Sequence, residues 1–266
     1  MERGDTALEV TDLRVDLGGK TVLDGAGLTL RAGELVTVVG PNGAGKSTMV
    51  RAAAGLQRFE RGSVEWMGRS LDSLRGRRLA LIRAFVPQRG RVPEGVTVLD
   101  AVTIGRSAHL RVLQRATRAD REAVDRAMAR SGVEGFRDRQ LSTLSGGELQ
   151  RVQIAVALAQ EAPVLMADEP TSQLDLGATV DVAKLLRGLA DDGLAVLLVA
   201  HDLALAAAVA DSVVVIHRGR SVATGAPAEA LSADRLREVW AVDASLEARD
   251  RHTALHVAWL GGARNR

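Results

Sequence analysis

Leu35-Val36-Thr37-Val38-Val39-Gly40-Pro41-Asn42-Gly43-Ala44-Gly45-Lys46-Ser47-Thr48 is the stretch that decides the fold. Its first five residues are a short β-branched apolar run, the composition of a buried strand. Of the next nine, Gly40 to Thr48, the first eight follow the pattern G-x-x-x-x-G-K-[ST]. The glycines let the backbone coil tightly, so that N–H groups point inward at an anion. Lys46 adds a point charge for β- and γ-phosphates, and the Ser47 hydroxyl suits Mg2+. The spacing predicts a helix from about Ser47 to Ala54, with Gly55 as its C-cap. Bound phosphates would then sit at a helix N-terminus.

Working outward, β structure is expected before this segment, where Leu8–Val15 and Gly27–Leu30 flank the turn signal Gly18-Gly19. Val64–Met67 reads as a further strand, with Gly68 in a turn. From about Thr97 to Arg139 the pattern is helical. Thr117 is placed to cap a helix that carries Val124, Ala127 and Met128 at i, i+3, i+4 spacing and ends at Gly132. Strand–helix alternation then returns, with Val164–Ala167 and Ala195–Ala200 as buried strands. Such alternation implies a largely parallel sheet covered on both faces. Val213–Ile216 and Ser221–Thr224 flank Arg218-Gly219-Arg220 as a hairpin, and Gly261 to Arg266 reads as a frayed tail.

The bulk numbers narrow the classes. The chain has 266 residues, is 46% hydrophobic and 26% charged, and carries a net charge of +2. That balance does not suggest an electrostatic binder of nucleic acid. The local cluster Arg75, Arg77 and Arg78 reads as a solvated face. There is no cysteine, hence neither a disulfide nor a thiolate metal site. Met1 to Asp5 is polar and leads to no apolar core of a signal peptide. The most apolar region, Leu194 to Ile216, is interrupted by His201-Asp202 and Asp211-Ser212, whereas a spanning helix needs about 20 apolar residues. Work at a membrane would therefore go through a partner.

Two further segments carry chemistry. Asp168-Glu169 closes the apolar run Val164–Ala167. Downstream of a phosphate-binding loop, an acid at such a strand end helps hold Mg2+, and a second acid beside it polarises the attacking water. Leu144-Ser145-Gly146-Gly147-Glu148 opens a helix with capping-box spacing between Ser145 and Glu148. Two glycines in a helix cost roughly 0.8–1 kcal/mol each at interior positions. They make sense where bare backbone N–H groups approach an anion.

Taken together these segments resemble the ATP-binding cassette (ABC) family. Leu144–Glu148 looks like its signature motif, and Gln88 in Phe85-Val86-Pro87-Gln88 matches the Q-loop glutamine. Ser172-Gln173-Leu174-Asp175 is similar to the D-loop, and His201 matches the switch histidine. The resemblance covers roughly residues 8 to 230. It implies an α/β fold: a P-loop NTPase core with a mostly parallel sheet, an N-terminal antiparallel β subdomain and an inserted helical subdomain. The expected organisation is one ABC ATPase domain over 1–266. The core takes 1–90 and 141–240, the helical subdomain 91–140, and a C-terminal extension 241–266.

The resemblance also implies site residues. Gly40–Thr48 and Asp168 would bind ATP, with Lys46 on the β/γ-phosphates; Ser47, Gln88 and Asp168 would hold Mg2+. Glu169 would activate water and His201 would hold the γ-phosphate. Leu17 stands where the family usually has an aromatic against adenine. Ser145, Gly146, Gly147 and Asp175 would complete the site of a second copy in a head-to-tail homodimer. Implied partners are integral membrane permease subunits and, through them, a periplasmic or lipid-anchored substrate-binding protein, with the chain peripheral on the cytoplasmic face of the membrane. Thr97 to Arg106, with His109 beyond, and the segment from Gly225 to Val239 resemble the metal-chelate importers of iron-siderophore, haem or cobalamin. The alternatives are another small-solute ABC system or a soluble ABC ATPase without a transport role.

Overall fold

Alternation of apolar and polar residues makes the first two strands, β1 (Thr6–Leu17) and β2 (Lys20–Arg31), which pair antiparallel with Leu17 opposite Lys20. Gly18-Gly19 is thus the two-residue hairpin turn that its composition predicts. In the computed structural model, which describes residues 1–88, 93–110, 115–249 and 252–258, strand β3 (Leu35–Val39) follows and is wholly buried. The loop after it leads into α1 (Lys46–Ala53). Next come β4 (Arg61–Trp66), β5 (Arg69–Ser70), the single turn α2 (Arg77–Ala80) and β6 (Arg83–Val86). The sheet β2-β1-β4-β5 is antiparallel, as the N-terminal β subdomain requires.

The middle of the chain is helical but not continuous: α3 (Val98–Ile104) and α4 (Arg118–Arg130) are separated, and short 3-10 turns follow each. Both helices open on a reciprocal capping box, Thr97 with Asp100 and Thr117 with Asp120. Then α5 (Gly146–Ala159), β7 (Val164–Asp168), α6 (Leu176–Asp191), β8 (Ala195–Val199) and α7 (Leu203–Val209) alternate. The chain continues through β9 (Ser212–His217), β10 (Arg220–Gly225), α8 (Pro227–Ala230) and α9 (Ala233–Trp240). It closes on the hairpin β11 (Ala244–Arg249) and β12 (His252–Val257). The expected tail 261–266 lies outside the described residues.

The central sheet runs β10-β9-β3-β8-β7-β6, parallel except for β10. Residues alternate between its two faces. Val36 and Val38 join a core shared with α1 and the antiparallel sheet, while Leu35 and Val39 join one shared with α5, α6 and α7. Trp66 is fully buried and its indole N–H donates to the Ala53 carbonyl (3.1 Å), fixing β4 against the end of α1. A third cluster, with Val98, Val102, Val124, Met128 and Val152, packs α3 and α4 on α5.

Arg106 ties that helical layer to the rest. Its buried guanidinium donates to Asp120 (3.1 Å), to the Ala159 carbonyl at the end of α5 (2.8 Å) and to Glu161 (2.7 Å). Arg77 is a second tie, donating to the carbonyls of Ala108 (2.7 Å) and His109 (2.9 Å). Arg77 stays exposed, as do Arg75 and Arg78, in keeping with the expected solvated face. Asp120 is held down to a pKa of about 2 by the Thr117 hydroxyl, the Thr117 N–H and then Arg106. A depressed folded value means that the carboxylate stabilises the fold above its unfolded value, near 3.8, and that this contribution is lost as pH falls toward 2. Asp120→Asn should lower the urea midpoint of unfolding at pH 7. The gap from wild type should narrow only below about pH 4; an unchanged gap down to pH 2.5 would contradict this account.

Candidate active site

Parallel pairing in register brings four strand ends into line. Val38 lies opposite Val199, Val199 opposite Asp168, and Ala167 opposite Val86. The residues that follow, Gly40, His201, Glu169 and Gln88, therefore emerge along one edge, at the carboxyl ends of the strands where open α/β sheets bind ligands. This edge gathers four of the expected site segments.

The loop at the end of β3 is held rigidly. Gly40 approaches β9 so closely that a Cβ would lie 2.1 Å from the Ile216 carbonyl oxygen. Gly45 takes φ 105, a left-handed value that L side chains rarely adopt, and a Cβ there would meet Leu23 at 2.5 Å. Pro41 and Ala44 close a turn through Ala44 N–H to the Pro41 carbonyl (3.1 Å), while Asn42 and Gly43 at its crest are exposed. Lys46 is 5% exposed and donates to the carbonyls of Gly40 (2.9 Å) and Pro41 (3.3 Å). Burial lowers its ammonium pKa, and the carboxylates of Glu169 and Asp168 oppose that shift. The arrangement holds the ammonium under the loop, against its backbone carbonyls.

Beside it the Ser47 hydroxyl donates to the buried Asp168 carboxylate (2.7 Å). A hydroxyl and one carboxylate make a sparse set of hard oxygen donors, which suits Mg2+, an ion that keeps much of its own water. No group of three or more His, Cys, Asp or Glu able to hold a metal occurs among the described residues. Gln88 donates from its amide nitrogen to Glu169 (2.6 Å). Glu169 has φ 48, a conformation worth about 1–3 kcal/mol of strain for a non-glycine residue. Its N–H donates to the Val199 carbonyl (3.1 Å) and its carbonyl accepts from Ser172 N–H (3.2 Å), so the neighbouring chain holds the bend. His201 is exposed at the end of β8, and Asp202 beside it caps α7.

The remaining candidates lie apart from the phosphate loop. Ser145 caps α5 by a reciprocal box with Glu148, whose pKa the Ser145 N–H and hydroxyl lower. Asp175 caps α6 by accepting from Ala178 N–H (2.7 Å). Ser145, Gly147 and Asp175 line a hollow of about 290 Å³ of their own. The two glycines differ. A Cβ on Gly147 would meet Ala178 at 2.7 Å, so packing of α5 on α6 already demands glycine there. A Cβ on Gly146 would make only ordinary contact, with Leu174 at 3.5 Å, so packing within this chain does not account for it.

Gly146 borders a cleft of about 470 Å³ that also contains Gln88, Glu169, Gln150 and Gln153. The last two were not among the sequence-derived site residues. Their signal is a pair of glutamines spaced i, i+3 on α5, a spacing that an apolar-periodicity reading passes over. Leu17 is 38% exposed at the tip of β1 and offers an aliphatic surface without a ring. Base–aromatic stacking is worth about 1–3 kcal/mol. Leu17→Tyr should accordingly tighten ATP binding several-fold with little change in saturated turnover, as read by nucleotide titration of both proteins. Unchanged affinity in a folded variant would exclude Leu17 from the base site.

Comparison with known proteins gives the family. The family model described as ABC transporter matches residues 23–172. The hemin import ATP-binding protein HmuV of Rhodococcus jostii is 41% identical over 237 residues, 89% of this chain and 80% of that one. The protein of the same name from Streptomyces coelicolor is 44% identical over 239 residues, 89% and 84% of the two chains. The cobalamin import ATP-binding protein BtuD of Halobacterium salinarum is 44% identical over 231 residues, 86% of this chain and 58% of that one. Among solved structures, a metal-chelate type ABC transporter in an inward-facing conformation superposes with a TM-score of 0.82 at 25% identity, over 95% of this chain and 96% of that one. With the strand-end site and these relatives together, the chain belongs to the ABC transporter family of ATP-binding proteins and is an ATPase of that family.

Proposed function

We propose that the chain powers membrane import of a metal chelate, of the iron-siderophore, haem or cobalamin class, by ATP-driven dimerisation. Support comes from the names of its relatives, which are hemin and cobalamin import ATP-binding proteins. No described helix is long and apolar enough to cross a membrane, so translocation would belong to permease partners, loaded by a substrate-binding protein. In this reading the chain works at the cytoplasmic face of the membrane. The core is 1–90 with 141–240, the helical subdomain 91–140 presents the docking surface, and 241–266 is an extension.

The observation that carries the catalytic reading is the placement of Lys46, Ser47–Asp168 and Gln88–Glu169 on one sheet edge. Lys46 and the loop amides of Gly40–Thr48 neutralise the β/γ-phosphates. Ser47, Asp168 and Gln88 hold Mg2+, which supplies positive charge to the phosphate oxygens. Glu169 accepts the proton of the attacking water, its carboxylate aimed by the strained backbone bend. His201 steadies the γ-phosphate at the neighbouring strand end. Leu17 covers the base. Ser145, Gly146, Gly147 and Asp175 face the nucleotide of a second copy, which gives the bare backbone at Gly146 a purpose that this chain's own packing does not supply.

Glu169→Gln tests the base directly. An amide cannot take the proton, and loss of a general base costs about 10²–10⁴ in rate. ATP binding should persist, phosphate release should fall by that factor, and sedimentation with ATP should show a trapped dimer. Near-normal turnover would remove Glu169 from the role. Lys46→Ala should instead weaken ATP binding itself. The cargo is tested with the chain assembled on its permease in liposomes: binding protein loaded with haem, ferric siderophore or cobalamin should stimulate phosphate release. Stimulation by none of the three would refute the substrate class.

A further inference from the structure

One feature of the cleft beside Glu169 is unused by the reading above. Gln150 on α5 is 8% exposed, and its amide nitrogen is buried without a hydrogen-bond partner among the described residues; the amide oxygen of Gln153, one turn on, is likewise buried and unpaired among them. An unsatisfied buried amide group costs about 1–3 kcal/mol. An isosteric apolar side chain would fill the same space on a helix otherwise packed with Val152, Ile154 and Ala155. The two glutamines are therefore not explained by packing. Both line the 470 Å³ cleft that holds the Gln88–Glu169 pair, along with Ser172 and Gln173. A polar cleft of that size accommodates several waters, and such waters bond buried polar groups that lack a direct partner.

We infer that Gln150 and Gln153 are positioning residues for hydrolysis: through solvent in the cleft, their amides orient the Glu169 carboxylate and the Gln88 amide. The inference rests on the reading of Glu169 as the base. It adds a structural consequence. The helix that carries the two amides begins at Ser145, so the turn offered to a second copy and the groups that steady this chain's own Glu169 belong to one rigid element. A displacement of the first turn of α5 is transmitted to the cleft within about two turns of helix.

The test is the double substitution Gln150→Met and Gln153→Met in the full chain, which keeps length and removes hydrogen bonding. ATP affinity should stay within about twofold of wild type, and saturated turnover should fall about tenfold. The loss should fall on kcat alone, with KM for ATP unmoved, because the amides act on the base and not on the nucleotide. Tm should stay close to wild type, since methionine keeps the side-chain length and the hydrogen bonds removed run only to solvent in the cleft. Wild-type turnover overturns the inference. So does lost turnover with a lowered Tm and a raised KM for ATP, which marks the amides as merely structural. Should the double variant fail to fold, the partly buried Gln153→Met alone carries the same criteria. Glu169→Gln run in parallel separates the two readings: if it remains active, the base assignment fails; if it is inactive while the methionine variant matches wild type, only this inference fails.

Discussion

Everything at the site depends on the register of one set of parallel strands. β6, β7, β8 and β3 pair side by side so that their last residues fall on a common line. A strand advances about 3.3 Å per residue and its side chains alternate faces, so a slip of one position would move a strand-end group by that distance and turn its core residues outward. The buried alternation of Val36 and Val38 against Leu35 and Val39 is what prevents the slip. The apolar packing on both faces of the sheet thus performs the alignment that the chemistry needs.

Much of this was legible in the residues. Leu35–Val39 followed by the glycine-rich loop specifies strand, turn and helix locally, and the Gly40 and Gly45 geometries explain why glycine is needed there. The Asp168-Glu169 step was readable because an all-apolar strand ends in two acids. The short strand β6, Arg83–Val86, was not, because four residues ending near a proline carry no period of their own; its place is set by pairing with β7. The hairpin β11–β12 escaped for a similar reason. Leu246 and Leu255 alternate with polar groups, but what orders them is the apolar surface that the α7–α9 region presents. Arg77 was read within a solvated face and Arg106 only within the importer-like segment, and only the fold shows the carbonyls that they meet.

The arginine ties also divide the molecule by mechanism. The core is aligned by shape, through β-branched and aliphatic contacts. The helical layer is instead located by forked, directional donors to carbonyls at the ends of elements: Arg106 to Ala159, Arg77 to Ala108 and His109. Buried ion pairs are weak sources of net stability, yet they are demanding of geometry. A layer held in this way keeps a defined orientation while its own apolar cluster stays separate from the two clusters of the core.

The turn between β9 and β10 has a reach beyond its hairpin. Gly219 donates its N–H to the Ala44 carbonyl in the phosphate loop (3.2 Å) and accepts from Asp24 N–H on β2 (2.9 Å), with Arg220 bridging to Asp24 (2.9 Å). Three segments far apart in sequence thereby share one small hydrogen-bonded knot. Local opening in proteins proceeds in cooperative units. Amide protons at Asp24, Gly219 and the loop should therefore exchange with solvent as a single unit, and a ligand that quiets the loop should slow exchange at all three.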